Sequence, residues 1–124
     1  MSRVFQGLLM LLMSGPVLGQ ADPAKGREIV LARGDGNCLL CHAVPGAERP
    51  AGNLGPSLAG VGLRLSEEEI FWRIVDASRF NPDTAMPPYG RIEGLHAVAP
   101  QYRGKPLLST SEIEDAAAFL ATLR

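Results

Sequence analysis

The sequence predicts an all-α domain: three or four short helices with long loops between them. Three observations predict it. No segment sustains the apolar/polar alternation of a strand. Three segments open on a capping residue and then place apolar side chains at helical spacing. Prolines and glycines gather between those segments, and the stretch from Arg79 to Leu108 alone holds Pro82, Pro87, Pro88, Pro100 and Pro106.

The first residues read as separate from that domain. Met1-Ser2-Arg3 is a short positive start, and Val4 to Met13 is apolar apart from Gln6 and Gly7. Ser14-Gly15-Pro16 breaks the run ahead of Val17-Leu18-Gly19, a small-residue cleavage signal. The run falls short of the about 20 residues that span a bilayer. Residues 1–19 are therefore expected to be a cleaved secretory signal, with cleavage after Gly19 or Ala21; an uncleaved N-terminal anchor is the competing reading. No paired arginines point to the twin-arginine route, so export is of the Sec type. The expected product is residues 20–124, one domain, periplasmic and without a membrane anchor.

Asp22 caps a first helix with Pro23 at its first position, and Ile29, Val30 and Arg33 carry the pattern to about Arg33. Gly34-Asp35-Gly36-Asn37 ends it. Cys38 to His42 follows, then a proline- and glycine-rich loop from Ala43 to Gly60. A second helix starts at Ser66, where Glu69 completes a capping box and Glu67 and Glu68 suit the positive end of the dipole. Ile70, Ile74 and Ala77, widened by Phe71, Val75 and Ser78, form its inner face. It ends near Ser78, ahead of Pro82. The final helix opens at Ser109, with Glu112 closing a second box, and runs to the C-terminus. Ile113, Ala116, Ala117 and Leu120 form its stripe, broadened by Phe119 and Leu123.

Cys38-Leu39-Leu40-Cys41-His42 is the C-x-x-C-H pattern of covalent haem attachment. Two thiols three positions apart on one turn can each add across a vinyl group, and the next residue then offers its imidazole to the iron. Export strengthens this reading, because such attachment happens outside the cytoplasm. One haem c is expected, and no other metal. A redox-active Cys-x-x-Cys pair would need a βαβ context that is absent. Zinc has four candidate ligands in Cys38, Cys41, His42 and His96, but not the usual histidine spacing of three to five residues. Aromatic residues are only 6% of the chain, a thin supply for a self-made core. Long loops also make sense if they wrap a flat apolar group. The net charge of -1 argues against a nucleic-acid partner.

The iron's other axial position has two candidates. Once residues 1–19 are removed, Met86 is the only methionine left, and His96 is the only histidine besides His42. Met86 sits in Thr84-Ala85-Met86-Pro87-Pro88, where the prolines stiffen the backbone that carries the thioether. Methionine/histidine ligation raises the reduction potential. His96 remains the alternative. For His42, the second ring nitrogen needs an acceptor, and the Pro56 carbonyl in Gly55-Pro56-Ser57-Leu58 is one candidate; an ordinary turn is the other reading.

With these residues the whole domain resembles class I cytochromes c. Gly26 and Phe119 look like the small and aromatic residues that let the first and last helices of that family cross closely. The resemblance is closer to the SoxX family of sulfur-oxidation cytochromes. It rests on Asn53-Leu54-Gly55-Pro56-Ser57-Leu58, Arg73-Ile74-Val75-Asp76, Asn81-Pro82-x-Thr84-x-Met86-Pro87 and Val98-Ala99-Pro100-x-Tyr102-x-Gly104-Lys105-Pro106. The resemblance implies a haem held by Cys38, Cys41, His42 and Met86. It also implies a partner cytochrome, SoxA, whose complex with this chain couples thiosulfate oxidatively to a cysteine of the carrier SoxY. The haem of this chain would receive the electrons and pass them to a downstream cytochrome acceptor.

The residues constrain the role independently. With both cysteines consumed by haem, no thiol remains as a nucleophile, so no catalytic residue is assigned and the chain is not expected to be an enzyme alone. From Arg79 to Lys105, four basic residues (Arg79, Arg91, Arg103, Lys105) stand against two acidic ones (Asp83, Glu93). Such a loop can steer a negatively charged partner. Two other roles compete: a free-standing shuttle between respiratory complexes, and a sensor with a displaceable Met86.

Overall fold

The computed structural model describes residues 20–124, so the expected signal at 1–19 lies outside the described residues. Among the described residues four α-helices occur in order: α1 Pro23–Leu31, α2 Val61–Arg64, α3 Glu67–Asp76 and α4 Thr110–Ala121. Short 3₁₀ turns occur at Cys38–Leu40, Ala77–Arg79 and Pro100–Tyr102, and there is no strand among the described residues.

Each long helix begins where its cap requires. The Asp22 side chain accepts from the N–H groups of Ala24 and Lys25, and Pro23 follows at the first helical position. Ser66 and Glu69 at α3, and Ser109 and Glu112 at α4, form complete capping boxes in both directions. Helix α1 stops at Leu31, two residues earlier than expected. The reason is Arg49, whose guanidinium donates to Leu31 O at 2.9 Å, Ala32 O at 3.1 Å and the Asn37 side-chain oxygen at 3.0 Å. A cation thus satisfies the carbonyls at the negative end of the helix, and the chain leaves in extended conformation at Ala32.

α1 and α4 make the main crossing, and α3 packs beside α4. Gly26 permits the crossing. A Cβ there would lie 1.8 Å from Asp115 O and 2.9 Å from the Phe119 Cβ. The backbone of Asp22 also donates to the buried Asp115 carboxylate at 2.6 Å, which ties the start of α1 to α4. Val30, Leu39 and Ile113 are the largest fully buried side chains, so the attachment segment shares one core with both helices.

α2 falls between the expected loop and the expected second helix. Gly60, at φ +68, starts it. Val61 is buried, and Gly62 comes so near the end of α4 that a Cβ would sit 2.1 Å from Ala121 O. One helical turn has too few residues to show a period, and its stability comes from this contact.

The segment after α3 has little regular structure, yet it is tied at defined points. The Asp76 carboxylate accepts from Ser78 N and Ser78 Oγ and faces Arg91 Nε at 3.0 Å. Arg73 and Arg79 lie over the rings of Phe80 and Trp72 at 4.2 and 4.9 Å, which orders the end of α3. Further along, Tyr89 N–H donates to Ile74 O, Gly90 N–H to Val75 O, and Leu108 N–H to Tyr89 O. Of the four basic residues of this loop, Arg91 therefore turns to Asp76.

Candidate haem site

Cys38 to Leu40 form a 3₁₀ turn whose hydrogen bonds continue into the next residues: Cys41 N–H and His42 N–H both donate to Cys38 O, at 3.1 and 2.9 Å. Leu39 is 1% exposed and anchors the turn in the core, while Leu40 is 69% exposed. Cys38, Cys41 and His42 are half-buried between them, and the two thiols are free. Burial is the main cause that pushes the Cys38 thiol up to about 11, so it is a neutral thiol at physiological pH.

A second segment runs against this turn. Gly52 N–H donates to Leu39 O at 2.8 Å, Gly55 N–H to Cys41 O at 2.8 Å and Leu58 N–H to Ala43 O at 2.9 Å. The approach demands small residues, because a Cβ on Gly52 would be 2.0 Å from Leu40 O. At Gly55 the neighbour is the imidazole itself: a Cβ would lie 2.4 Å from His42 Cε1 and 2.8 Å from Nε2.

The His42 ring is held on a second side by the Pro56 carbonyl, 2.6 Å from Nδ1. A carbonyl only accepts, so the proton sits on Nδ1 and the ring donates. That assignment leaves the Nε2 lone pair for a metal ion, the arrangement found for ligating histidines. Two thiols on one turn, an adjoining imidazole with a free lone pair and a glycine clearing space at the ring fit a covalently bound haem.

Met86 is half-buried and packs against the core cluster. Its N–H donates to Thr84 Oγ1 at 3.2 Å, and Thr84 N–H donates to Asn81 O at 3.1 Å, so a tight turn delivers it to Pro87-Pro88. His96 lies exposed in the loop, next to Ala97, whose φ of 54 is in the left-handed region. Among the described residues no group of three or more His, Cys, Asp or Glu side chains could hold a metal ion. The zinc alternative therefore has no converging ligand set.

Sequence reasoning missed Arg49, Gly52 and Tyr89 as parts of this region. Arg49 and Gly52 act on backbone carbonyls, for which a sequence carries no signal. Tyr89 is buried, and its hydroxyl donates to Gly36 O at 2.8 Å. Burial is also the main cause that raises its pKa to about 12, so it stays a neutral donor.

No helix among the described residues is long and apolar enough to cross a membrane. The family model described as cytochrome C oxidase, cbb3-type, subunit III matches residues 21–120. No curated protein matches the chain. Solved structures are similar to this chain as well. A chain of SoxXA from P. pantotrophus is 30% identical with a TM-score of 0.75, the match covering 85% of this chain and 83% of that one. The c-type cytochrome SorU from Sinorhizobium meliloti is 27% identical with a TM-score of 0.54, covering 82% of this chain and 88% of that one. The helical fold, the Cys38–His42 turn and these matches together place the chain in the cytochrome c family that the matching model describes, as a SoxX-like c-type cytochrome.

Proposed function

We propose that this chain is the monohaem, electron-accepting subunit of a periplasmic complex with a SoxA-type cytochrome. That complex would couple thiosulfate to a cysteine of a SoxY-type carrier. Joining thiosulfate sulfur to a carrier thiol forms one S–S bond and releases one proton and two electrons. This chain would take those electrons one at a time and relay each to a downstream cytochrome. The likeness to a chain of SoxXA over 85% of the sequence carries the reading.

In this reading each residue has a defined part. Cys38 and Cys41 would hold a haem c through two thioethers. His42 would offer Nε2 to the iron, while the Pro56 carbonyl holds Nδ1–H, fixes the ring and raises its basicity. Met86 would offer the iron a soft thioether, which favours the ferrous state and therefore electron acceptance. A bound haem c supplies a one-electron couple. With both cysteines used, the chain keeps no thiol for the sulfur chemistry, which lies in the partner.

Co-purification from the native host tests this reading. The expected result is a stable complex with a larger cytochrome, and addition of thiosulfate with the carrier reduces the haem of this chain. A protein that stays monomeric in the presence of a SoxA-type cytochrome, and is not reduced, refutes it. A free-standing electron carrier is the second reading, since the chain is also similar to the solved c-type cytochrome SorU. Under that reading the monomer exchanges electrons rapidly with a respiratory acceptor and needs no second cytochrome.

A further inference from the structure

The chain has two tyrosines, and both reach from the methionine-side loop to the residues just ahead of Cys38. The Tyr89 hydroxyl donates to Gly36 O at 2.8 Å, a buried contact. The Tyr102 hydroxyl donates to the Asp35 carboxylate at 2.6 Å. These are separate bonds, made by residues 13 positions apart on one loop to two consecutive residues of another.

Tyr89 is also a backbone junction. Its N–H donates to Ile74 O at 3.2 Å and its carbonyl accepts from Leu108 N at 3.1 Å, so α3, the start of α4 and Gly36 all meet at this residue. Met86 lies three residues upstream through Pro87 and Pro88, whose rings fix φ. Gly36 lies two residues before Cys38. The path from the first attachment cysteine to the methionine therefore crosses one phenol–carbonyl bond and two stiff residues. A phenylalanine at 89 would fill the same apolar space without making that bond. The hydroxyl accordingly has a task beyond packing.

We propose that Tyr89 is a positioning residue for Met86, and that Tyr102 with Asp35 braces the far part of the same loop. The two phenols form a clamp that holds the thioether against the attachment segment. Without it, a loop from Phe80 to Ser109 with one short 3₁₀ turn opens more often, because its remaining ties to the rest of the fold (the Tyr89 and Gly90 amides on α3 and the Arg91–Asp76 pair) do not reach the attachment segment. The segment Val98–Pro106, one of those that carry the resemblance to SoxX, then has an internal role in addition to any contact with a partner. The proposal rests on Met86 being the axial ligand.

The test uses the purified holoprotein with its haem covalently attached. Imidazole is titrated in at a temperature well below unfolding, and displacement of the methionine is followed by loss of the thioether-to-iron absorption band. Tyr89→Phe is expected to raise the apparent imidazole affinity about tenfold, the fold-change of one lost hydrogen bond of ordinary strength. Tyr102→Phe and Asp35→Ala, nearer the surface, are expected to raise it a few-fold. A merely structural hydroxyl would lower the unfolding midpoint and leave the imidazole affinity unchanged, and that result overturns the proposal. If Tyr89→Phe gives no holoprotein, unchanged affinity in both Tyr102→Phe and Asp35→Ala overturns it equally. Met86→Ala separates the two layers of the argument. If it abolishes the band while the tyrosine variants behave as wild type, the clamp alone fails; if it keeps the band, the methionine reading fails and takes the clamp with it.

Discussion

Substituting Gly55 by alanine tests the histidine geometry most directly. The added Cβ would lie 2.4 Å from His42 Cε1, 2.7 Å from Nδ1 and 2.8 Å from Nε2, whereas ordinary contact begins near 3.4 Å. Backbone conformation is no obstacle, since Gly55 has no left-handed φ. The ring must therefore move by roughly 1 Å, and the 2.6 Å bond to Pro56 O stretches beyond hydrogen-bond range. Removing the partner of a ligating histidine weakens ligation about 10–100-fold. The imidazole also becomes a poorer donor, so the potential rises. If the whole loss falls on ferric iron, the rise is on the order of 60–120 mV, at about 59 mV per tenfold for one electron. Protein-film voltammetry and the yield of covalently attached haem measure both effects. Gly34→Ala is the control, because a Cβ there meets nothing within 4 Å. A Gly55→Ala protein with wild-type potential and haem yield would refute the argument that Gly55 and Pro56 together hold the ring.

Three other predictions follow from the geometry. Met86→Ala lowers the potential and removes the thioether-to-iron band, whereas His96→Ala, at an exposed position, changes neither in the same spectra. Gly26→Ala sets helix propensity, worth about 1 kcal/mol in favour of alanine, against a Cβ 1.8 Å from Asp115 O. The clash wins, and urea denaturation should show a net loss of about 2 kcal/mol, or roughly 10 °C in the melting temperature. The Ser78 hydrogen bonds are the main cause that holds the Asp76 carboxyl below its ordinary 3.8, with Arg91 and Arg79 adding to it. A depressed folded-state value contributes stability that is complete above that ordinary value and is lost as the pH falls through the folded one. Asp76→Asn should therefore flatten the acid limb of stability, read as denaturation midpoints at neutral pH and near pH 3.

Local rules made several features legible before any tertiary contact was known. The helix starts were readable because a cap is a short-range device: Asp22, Ser66 and Ser109 each bond within three residues of themselves. The attachment turn was equally readable, since its cysteines and histidine act within five consecutive positions. Helix α2 was not, because its one turn is held by Gly62 against Ala121 and Leu123, about 60 residues away. The early end of α1 was hidden for the same reason, being set by Arg49 from 18 residues downstream.

By itself the sequence determined the helical class, the attachment motif and the short inventory of axial ligands, because these follow from composition and from spacings within a few residues. The tertiary structure decided where those residues stand. It set the proton of His42 on Nδ1 through the Pro56 carbonyl, turned Arg91 inward to Asp76, and left His96 exposed while Met86 packs on the core. It also drew both tyrosines back to Asp35 and Gly36. Each of these is a contact between segments far apart in the chain. Only the packing of α1 against α4, and of the loops on that crossing, brings such segments within hydrogen-bond distance.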